Sequence, residues 1–264
     1  MEFTVLDVGH GSCSYLIADN SNLMLFDCGH KSDPELRPSG LLRSMHQGSV
    51  EILFISNFDE DHISDIANVR EQLDVKSLVK NRTINADQLA ELKYKQSGEI
   101  SDAMESMLDM MKTFTGGPPD LPFEFPKVSY KTFCNSHPFG DGSDTNNISV
   151  VTFLTANNTT ILLPGDLEKE GWKALLRNQD FARRLSDVDI FIASHHGRDN
   201  GYCSEVFTAH NCRPSVFVFS DSEIKLATQE MTNIYASWAS GIQHDGKTRK
   251  VLTTRSDGSV SWDL

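Results

Sequence analysis

The chain of 264 residues predicts an α/β protein built on mixed β-sheet, and three observations carry that expectation. Short apolar runs recur along its length, at residues 3–6, 15–17, 23–26, 52–55, 149–154, 161–163, 188–193 and 216–219. Helical periodicity lies between several of them, at 63–73, 167–176 and 228–239, and strands alternating with helices argue for α/β. The opening strands instead follow one another through "GHGS" and "ADNSN", which reads as antiparallel hairpins. A β-rich start followed by an α/β remainder fits a mixed sheet better than a doubly wound parallel one.

One region departs from this pattern. Residues 85–126 contain no good strand, but Ile100, Met104, Met107, Leu108, Met111 and Phe114 recur at helical spacing. The expectation is a helical insertion, ended by the Gly and Pro residues of "TGGPPDLP", whose Met-rich stripe packs on the main body. A lid over a site is the sharper alternative. No repeat, low-complexity run or linker divides the chain, so residues 1–264 are expected to form one domain.

Composition narrows the function classes. Hydrophobic residues make up 39%, enough for a substantial core. A formal charge of −13 opposes binding of polyanions through bulk charge, although bound metal ions can supply positive charge locally. The five cysteines (Cys13, Cys28, Cys134, Cys203, Cys212) stand singly and odd in number, as reduced intracellular thiols do. No secretion signal opens the chain and no apolar run could span a bilayer, so a cytoplasmic location is expected.

The informative pattern is the recurrence of metal-capable side chains just after apolar strands. "LMLFDCG" delivers Asp27, and "ILFISNFDEDH" delivers Asn57, Asp59, Asp61 and His62. "ILLPGD" delivers Asp166, and "DIFIASHHG" delivers His195 and His196. Ligand sites in open α/β sheets lie at one end of the strands, where the loops converge. Each residue alone has an ordinary reading: a turn cap for Asp27, a helix cap for Asp166, loop histidines for the pair. Together they point to a divalent-metal site, because such sites use His, Asp and Glu and leave positions open for water. Asp166 has the chemistry to bridge two metals, whereas Glu60 and Asp65 in the acidic turn are expected to be bystanders.

Taken in order, these motifs resemble the metallo-β-lactamase fold superfamily, and within it the soluble domain of the ComEC competence proteins. "LDVGHGSC", "LFDCG", "SNFDEDHISD", "NNISVV", "LLPGDLEKEG", "ASHHGR" and "TTRSDGSV" carry the resemblance, which leaves out the insertion at 85–126. It implies an αββα sandwich of two mixed sheets with metal at one edge. By position it implies metal ligation by Asn57, Asp59, Asp61, His62, Asp166, His195 and His196, with one or two ions of Mn²⁺ or Zn²⁺, or else Mg²⁺. Asp27, Asp7 and Asn147 would orient that set without touching metal. Three departures stand out: Asn57 replaces the family's first histidine, Phe58 its usual proline, and "SDSEIKLATQEM" a His-Pro pair. His10 in the "GHGS" loop and His137 in "NSHPFGDG" are candidates for substrate contact.

The leading expectation is a metal-dependent phosphodiesterase or nuclease acting on nucleic acid or nucleotides through hydroxide generated on the metal, with Asp61, Asp59 and His195 as its catalytic residues. One alternative is a lactone or thioester hydrolase, since fold does not settle substrate. Another is a weakened or inactive binding or regulatory module, motivated by Asn57; separately, the resemblance to a domain usually attached to a membrane channel invites a partner protein.

Overall fold

The computed structural model describes residues 1–33, 35–116, 123–222 and 231–264. Two six-stranded mixed sheets face each other across an apolar layer. The first orders its strands Val260–Asp263, Glu2–Val5, Ser14–Ile17, Leu23–Phe26, Ile52–Phe54 and Leu78–Val79. Its first three pairings are antiparallel and its last two parallel. The second runs Val128–Phe133, Val151–Ala156, Thr159–Leu163, Ile190–Ile192, Val216–Phe219 and Val251–Thr253, antiparallel for two pairings and parallel for three. The final strand crosses back to pair with the first, so both ends of the chain lie in one sheet.

Strand periodicity of two divides the side chains between layers. Met24, Phe26, Ile52 and Phe54 point between the sheets, where they meet Leu154, Ile161, Val216 and Leu252. Leu25 and Leu53 point the other way, under helices. The second sheet likewise sends Phe191 and Phe217 outward to Trp172, Phe207 and Tyr235. Burial on both faces explains the unbroken apolar runs in these strands. Helices cover both outer faces, giving the αββα layering expected from the resemblance.

The insertion forms two helices, Ala86–Ser97 and Asp102–Thr113. Asn85 accepts the Gln88 amide at 2.9 Å while the Gln88 side chain returns to the Asn85 amide at 3.0 Å, a reciprocal cap. Gly98, at φ +79°, ends the first helix. Met104, Met107, Leu108 and Met111 are buried in the core on the outer face of the first sheet, so the Met-rich stripe is packing. Residues 117–122 of "TGGPPDLP", most of "SDSEIKLATQEM" and the start of the helix expected at 228–239 lie outside the described residues; Thr232–Ala236 is helical.

The helix expected at 63–73 is two, Glu60–Ile63 and Ile66–Gln72. Between them Asp65 is fully buried and accepts from the Ser39 amide at 2.9 Å, Arg37 Nη1 at 3.1 Å and Asn68 Nδ2 at 2.8 Å. Asp65 is therefore a structural anchor for the turn that carries the other acids.

Candidate metal centre

Five strands end at the same edge of the sandwich. Leu23–Phe26 ends at Asp27, Ile52–Phe54 leads into the acidic turn, and Thr159–Leu163 ends just before Asp166. Ile190–Ile192 leads to His195 and His196, and Val216–Phe219 to Ser220 and Asp221. The two sheets are tied there by the Val150 amide on the Ser56 carbonyl at 2.8 Å and by Ser220 Oγ on the Gly11 carbonyl at 2.6 Å.

Asp61, His62, Asp166 and His196 converge at this edge, with one donor atom from each lying within 4.8 Å of all the others. His62 Nε2 is 3.0 Å from Asp166 Oδ1, and His196 Nε2 is 3.2 Å from Asp61 Oδ2 and 3.5 Å from Asp166 Oδ1. Both imidazole nitrogens are buried without an aligned hydrogen bond. Their opposite nitrogens are engaged: His62 Nδ1 donates to Asp27 Oδ2 and His196 Nδ1 to the Ser220 carbonyl, each at 2.9 Å. This fixes the tautomer of each ring so that a lone pair on Nε2 faces the group.

The arrangement fits one divalent ion. Ligand bonds of about 2.0–2.2 Å place neighbouring donors about 3–3.6 Å apart. Two carboxylates balance a dication, and the two buried nitrogen lone pairs otherwise lack a partner. Two imidazoles with two carboxylates suit Zn²⁺ or Mn²⁺ without choosing between them.

Asp27 is the support beneath this group. Buried, it accepts from Ser12 Oγ at 3.0 Å, Ser56 Oγ at 2.6 Å and His62 Nδ1 at 2.9 Å on one oxygen, and from the Ser56 amide at 2.7 Å on the other. Backbone strain concentrates here too. Asp27 has φ 58°, and His195 and His196 are consecutive left-handed residues at φ 51° and 54°. Gly197 follows at φ +78°, and a Cβ there would lie 2.0 Å from the Phe219 ring. Gly29 admits the turn from below, since its Cβ would stand 2.1 Å from the Asp61 carbonyl oxygen.

Without metal, the mutual charges dominate. Burial opposes the charged forms of Asp61 and Asp166, but the neighbouring imidazoles outweigh it and depress both carboxyls, Asp61 to about 2. Burial also opposes imidazolium at His62, yet Asp166 and Asp27 hold its pKa well above the ordinary value. His10 goes the other way, pushed down to about 4 by burial, His196 and Arg198.

The structure places the remaining sequence candidates elsewhere. Asn57 is buried, and its Oδ1 accepts from the Phe58 and Asp59 amides at 2.5 and 3.2 Å and from Thr145 Oγ1 at 3.0 Å. Asp59 pairs with Lys93 and accepts from Thr145 Oγ1 at 2.9 Å. His195 lies at the margin of the donor group, its Nε2 3.9 Å from Asp166 and its Nδ1 3.6 Å from Glu168. Asn147 caps the helix after Asp166, accepting the Gly171 amide at 2.8 Å. Asp7 pairs with Lys31 at 2.8 Å. His137 borders a separate cavity with Gln88, Glu91 and Lys95 and is not brought to the edge.

His10 is. Its ring lies tilted against that of His196 with centroids 4.6 Å apart, and it lines a cavity of about 540 Å³ together with His30, Lys31, Asp221 and Arg255. A smaller cavity of about 30 Å³ lies behind the donors, between the sheets, with room only for species the size of water.

Sequence reasoning passed over Arg198, Glu168, Thr145 and Lys93. Arg198 donates to His195 Nε2 at 3.2 Å and to His10 Nε2 at 2.8 Å, and it pairs with no carboxylate among the described residues. Arg198 and Glu168 stood inside quoted motifs, where adjacency to His196 and Asp166 was a usable signal. Thr145 directly precedes "NNISVV", a weaker signal of the same kind, whereas Lys93 carried none, being far from any motif in sequence.

No family model matches the chain, and no curated protein sequence matches it. Its fold is shared with solved structures. Igni18, a metallo hydrolase from the archaeon Ignicoccus hospitalis, aligns over 100% of both chains at 13% identity with a TM-score of 0.52. Zn²⁺-bound PqqB from Methylobacterium extorquens aligns over 100% of both chains at 12% identity and 0.53. CmlA, a diiron β-hydroxylase from Streptomyces venezuelae, matches over 99% of this chain and 54% of its own at 10% identity and 0.56. At these identities the likeness shows the fold alone, which is the metallo-β-lactamase fold, and leaves the ComEC branch unselected.

Proposed function

We propose that this chain is a metal-dependent hydrolase that cleaves a phosphodiester in a nucleotide or nucleic acid. The observation that carries the reading is the pair of buried, unpartnered Nε2 atoms of His62 and His196 facing two carboxylates at the strand ends. Asp61, His62, Asp166 and His196 would hold the ion, with Asp27 and the Ser220 carbonyl orienting the two imidazoles. A divalent ion there supplies Lewis acidity and a hydroxide nucleophile at neutral pH. Igni18 is a metallo hydrolase and CmlA a hydroxylase on one fold, so the reaction class rests on the site and not on the likeness.

The residues of this chain suit an anionic substrate. Arg198 has donors to spare, with no carboxylate to neutralise it among the described residues and a buried, unpartnered Nε. Its guanidinium can take two phosphate oxygens in a fork, locally offsetting the net charge of the chain. The cavity beside His10 has room for a nucleotide moiety. His195 accepts from Arg198 on Nε2, so its Nδ1 carries the hydrogen and faces Glu168. When Arg198 turns to the phosphate, the freed Nε2 lone pair can take a proton from the attacking water.

The test is hydrolysis of bis-p-nitrophenyl phosphate, cyclic nucleotides, DNA and RNA with Mn²⁺ or Zn²⁺, against nitrocefin and a lactone. Phosphodiester cleavage abolished by chelator is expected. Turnover of the lactone with no phosphodiester cleaved would overturn the substrate class; absence of any bound metal would overturn the reading altogether.

A further inference from the structure

The acidic turn presents a second group of oxygens, and the inserted helix has already taken it. Lys93 stands on Ala86–Ser97, its side chain only 12% exposed, with Nζ paired to Asp59 and 3.2 Å from Thr145 Oγ1. Thr145 Oγ1 in turn reaches both Asp59 Oδ1 and Asn57 Oδ1, at 2.9 and 3.0 Å. Asn57 Nδ2 donates to Asn146 Oδ1 at 2.9 Å, and Asn146 Nδ2 reaches Glu168 Oε1 at 3.2 Å. The cluster therefore runs from Lys93 to the carboxylate that faces His195.

Among the described residues, every contact to Asn57 Oδ1 and Asp59 Oδ1 comes from a protein N–H, O–H or ammonium. These are the two oxygen donors that lie two and four residues before Asp61 on the same turn, where a hard cation would otherwise find ligands. The charge on Asp59 is matched by Lys93, so a dication added there would meet an ammonium at close range with no negative charge left to offset it. The helix is not free to withdraw. Gln96 Nε2 donates to the Ser143 carbonyl at 2.7 Å, and Ser101 Oγ to Glu60 Oε2 at 2.7 Å, tethering the insertion to both sides of the cluster.

We propose that this chain holds a single divalent ion and that Lys93 is a positioning residue, a fixed cation that neutralises Asp59 and, with Thr145 and Asn57, closes the place beside Asp61 to a second ion. The inference rests on the metal-binding reading above. It gives the insertion a second role beyond packing, because the helix that covers the sheet also delivers the charge.

The test is metal content per chain by elemental analysis after saturation with Zn²⁺ or Mn²⁺ and dialysis, with circular dichroism confirming the fold of each variant. One ion is expected in the wild type, in Lys93→Arg and in Asn57→His, because the cation remains. Two are expected in the folded double variant Lys93→Met with Asn57→His, where the ammonium is gone and a nitrogen donor joins Asp59. Two ions in the wild type, two in Asn57→His alone, or one in the folded double variant would each overturn the proposal while leaving metal dependence intact. No ion in the wild type would instead remove the reading on which it rests.

Discussion

Asp27→Asn isolates the support beneath the metal donors. The substitution keeps volume, and Asn tolerates the left-handed φ of 58° that Asp27 adopts, so the backbone is not a confounding change. One asparagine oxygen can still accept the Ser56 amide, now made at 2.7 Å. The amide nitrogen would replace the oxygen that takes Ser12 Oγ, Ser56 Oγ and His62 Nδ1. The two hydroxyls can rotate to accept instead. His62 cannot, because its Nδ1–H would face another donor. The ring then moves its proton to Nε2, removing the lone pair that faces Asp61 and Asp166. Loss of such an orienting partner typically weakens metal binding about 10- to 100-fold, or about 1.4–2.8 kcal/mol. Titration of metal-free protein with Zn²⁺ by calorimetry measures this directly, with near-wild-type circular dichroism as the control. An affinity within about twofold of wild type would refute the tautomer argument.

Three further substitutions probe separate parts of the edge. Asn57→Leu strands the Phe58 and Asp59 amides in a buried place, and should cost about 2–4 kcal/mol, lowering Tm by roughly 5–12 °C; a melt indistinguishable from wild type would refute this. Arg198→Gln should raise KM for a phosphodiester about 10- to 100-fold with metal content unchanged, and equal KM values would dismiss the anion-binding role. Asp221 is fully buried beside Arg255, and burial raises its pKa to about 6. Because the folded state binds this proton more tightly than the unfolded one, its contribution to stability is present at about pH 4 and lost as pH rises through about 6. The wild type minus Asp221→Asn difference in Tm should therefore fall across that window, and a constant difference would contradict it.

Much of the fold was legible because periodicity is a local property. The doubly buried strand Leu23–Phe26 reads as an unbroken apolar run, and the stripe from Met104 to Met111 reads as one face of a helix. The reciprocal cap at Asn85 and Gln88 is likewise written within four residues. The break between Glu60–Ile63 and Ile66–Gln72 was not legible, since it depends on Asp65 capturing Ser39 and Arg37 from another segment.

The same boundary runs through the site. That Asp27, the acidic turn, Asp166 and the two histidines follow strands is a matter of sequence order, and strand ends in such sheets converge for topological reasons. Which of their atoms meet is decided only by tertiary structure. Asn57, Asp59 and Asp61 alternate along one turn, yet the first two face Thr145 and Lys93 while the third faces His196. His195 and His196 are neighbours that both adopt left-handed backbone, but one turns toward Glu168 and Arg198 and the other into the donor group. A side chain's partner depends on what packs against it from distant segments. The sequence determines which chemistry reaches the edge of this sandwich; the packing of a helix inserted far from any motif decides which of those groups remain free to use it.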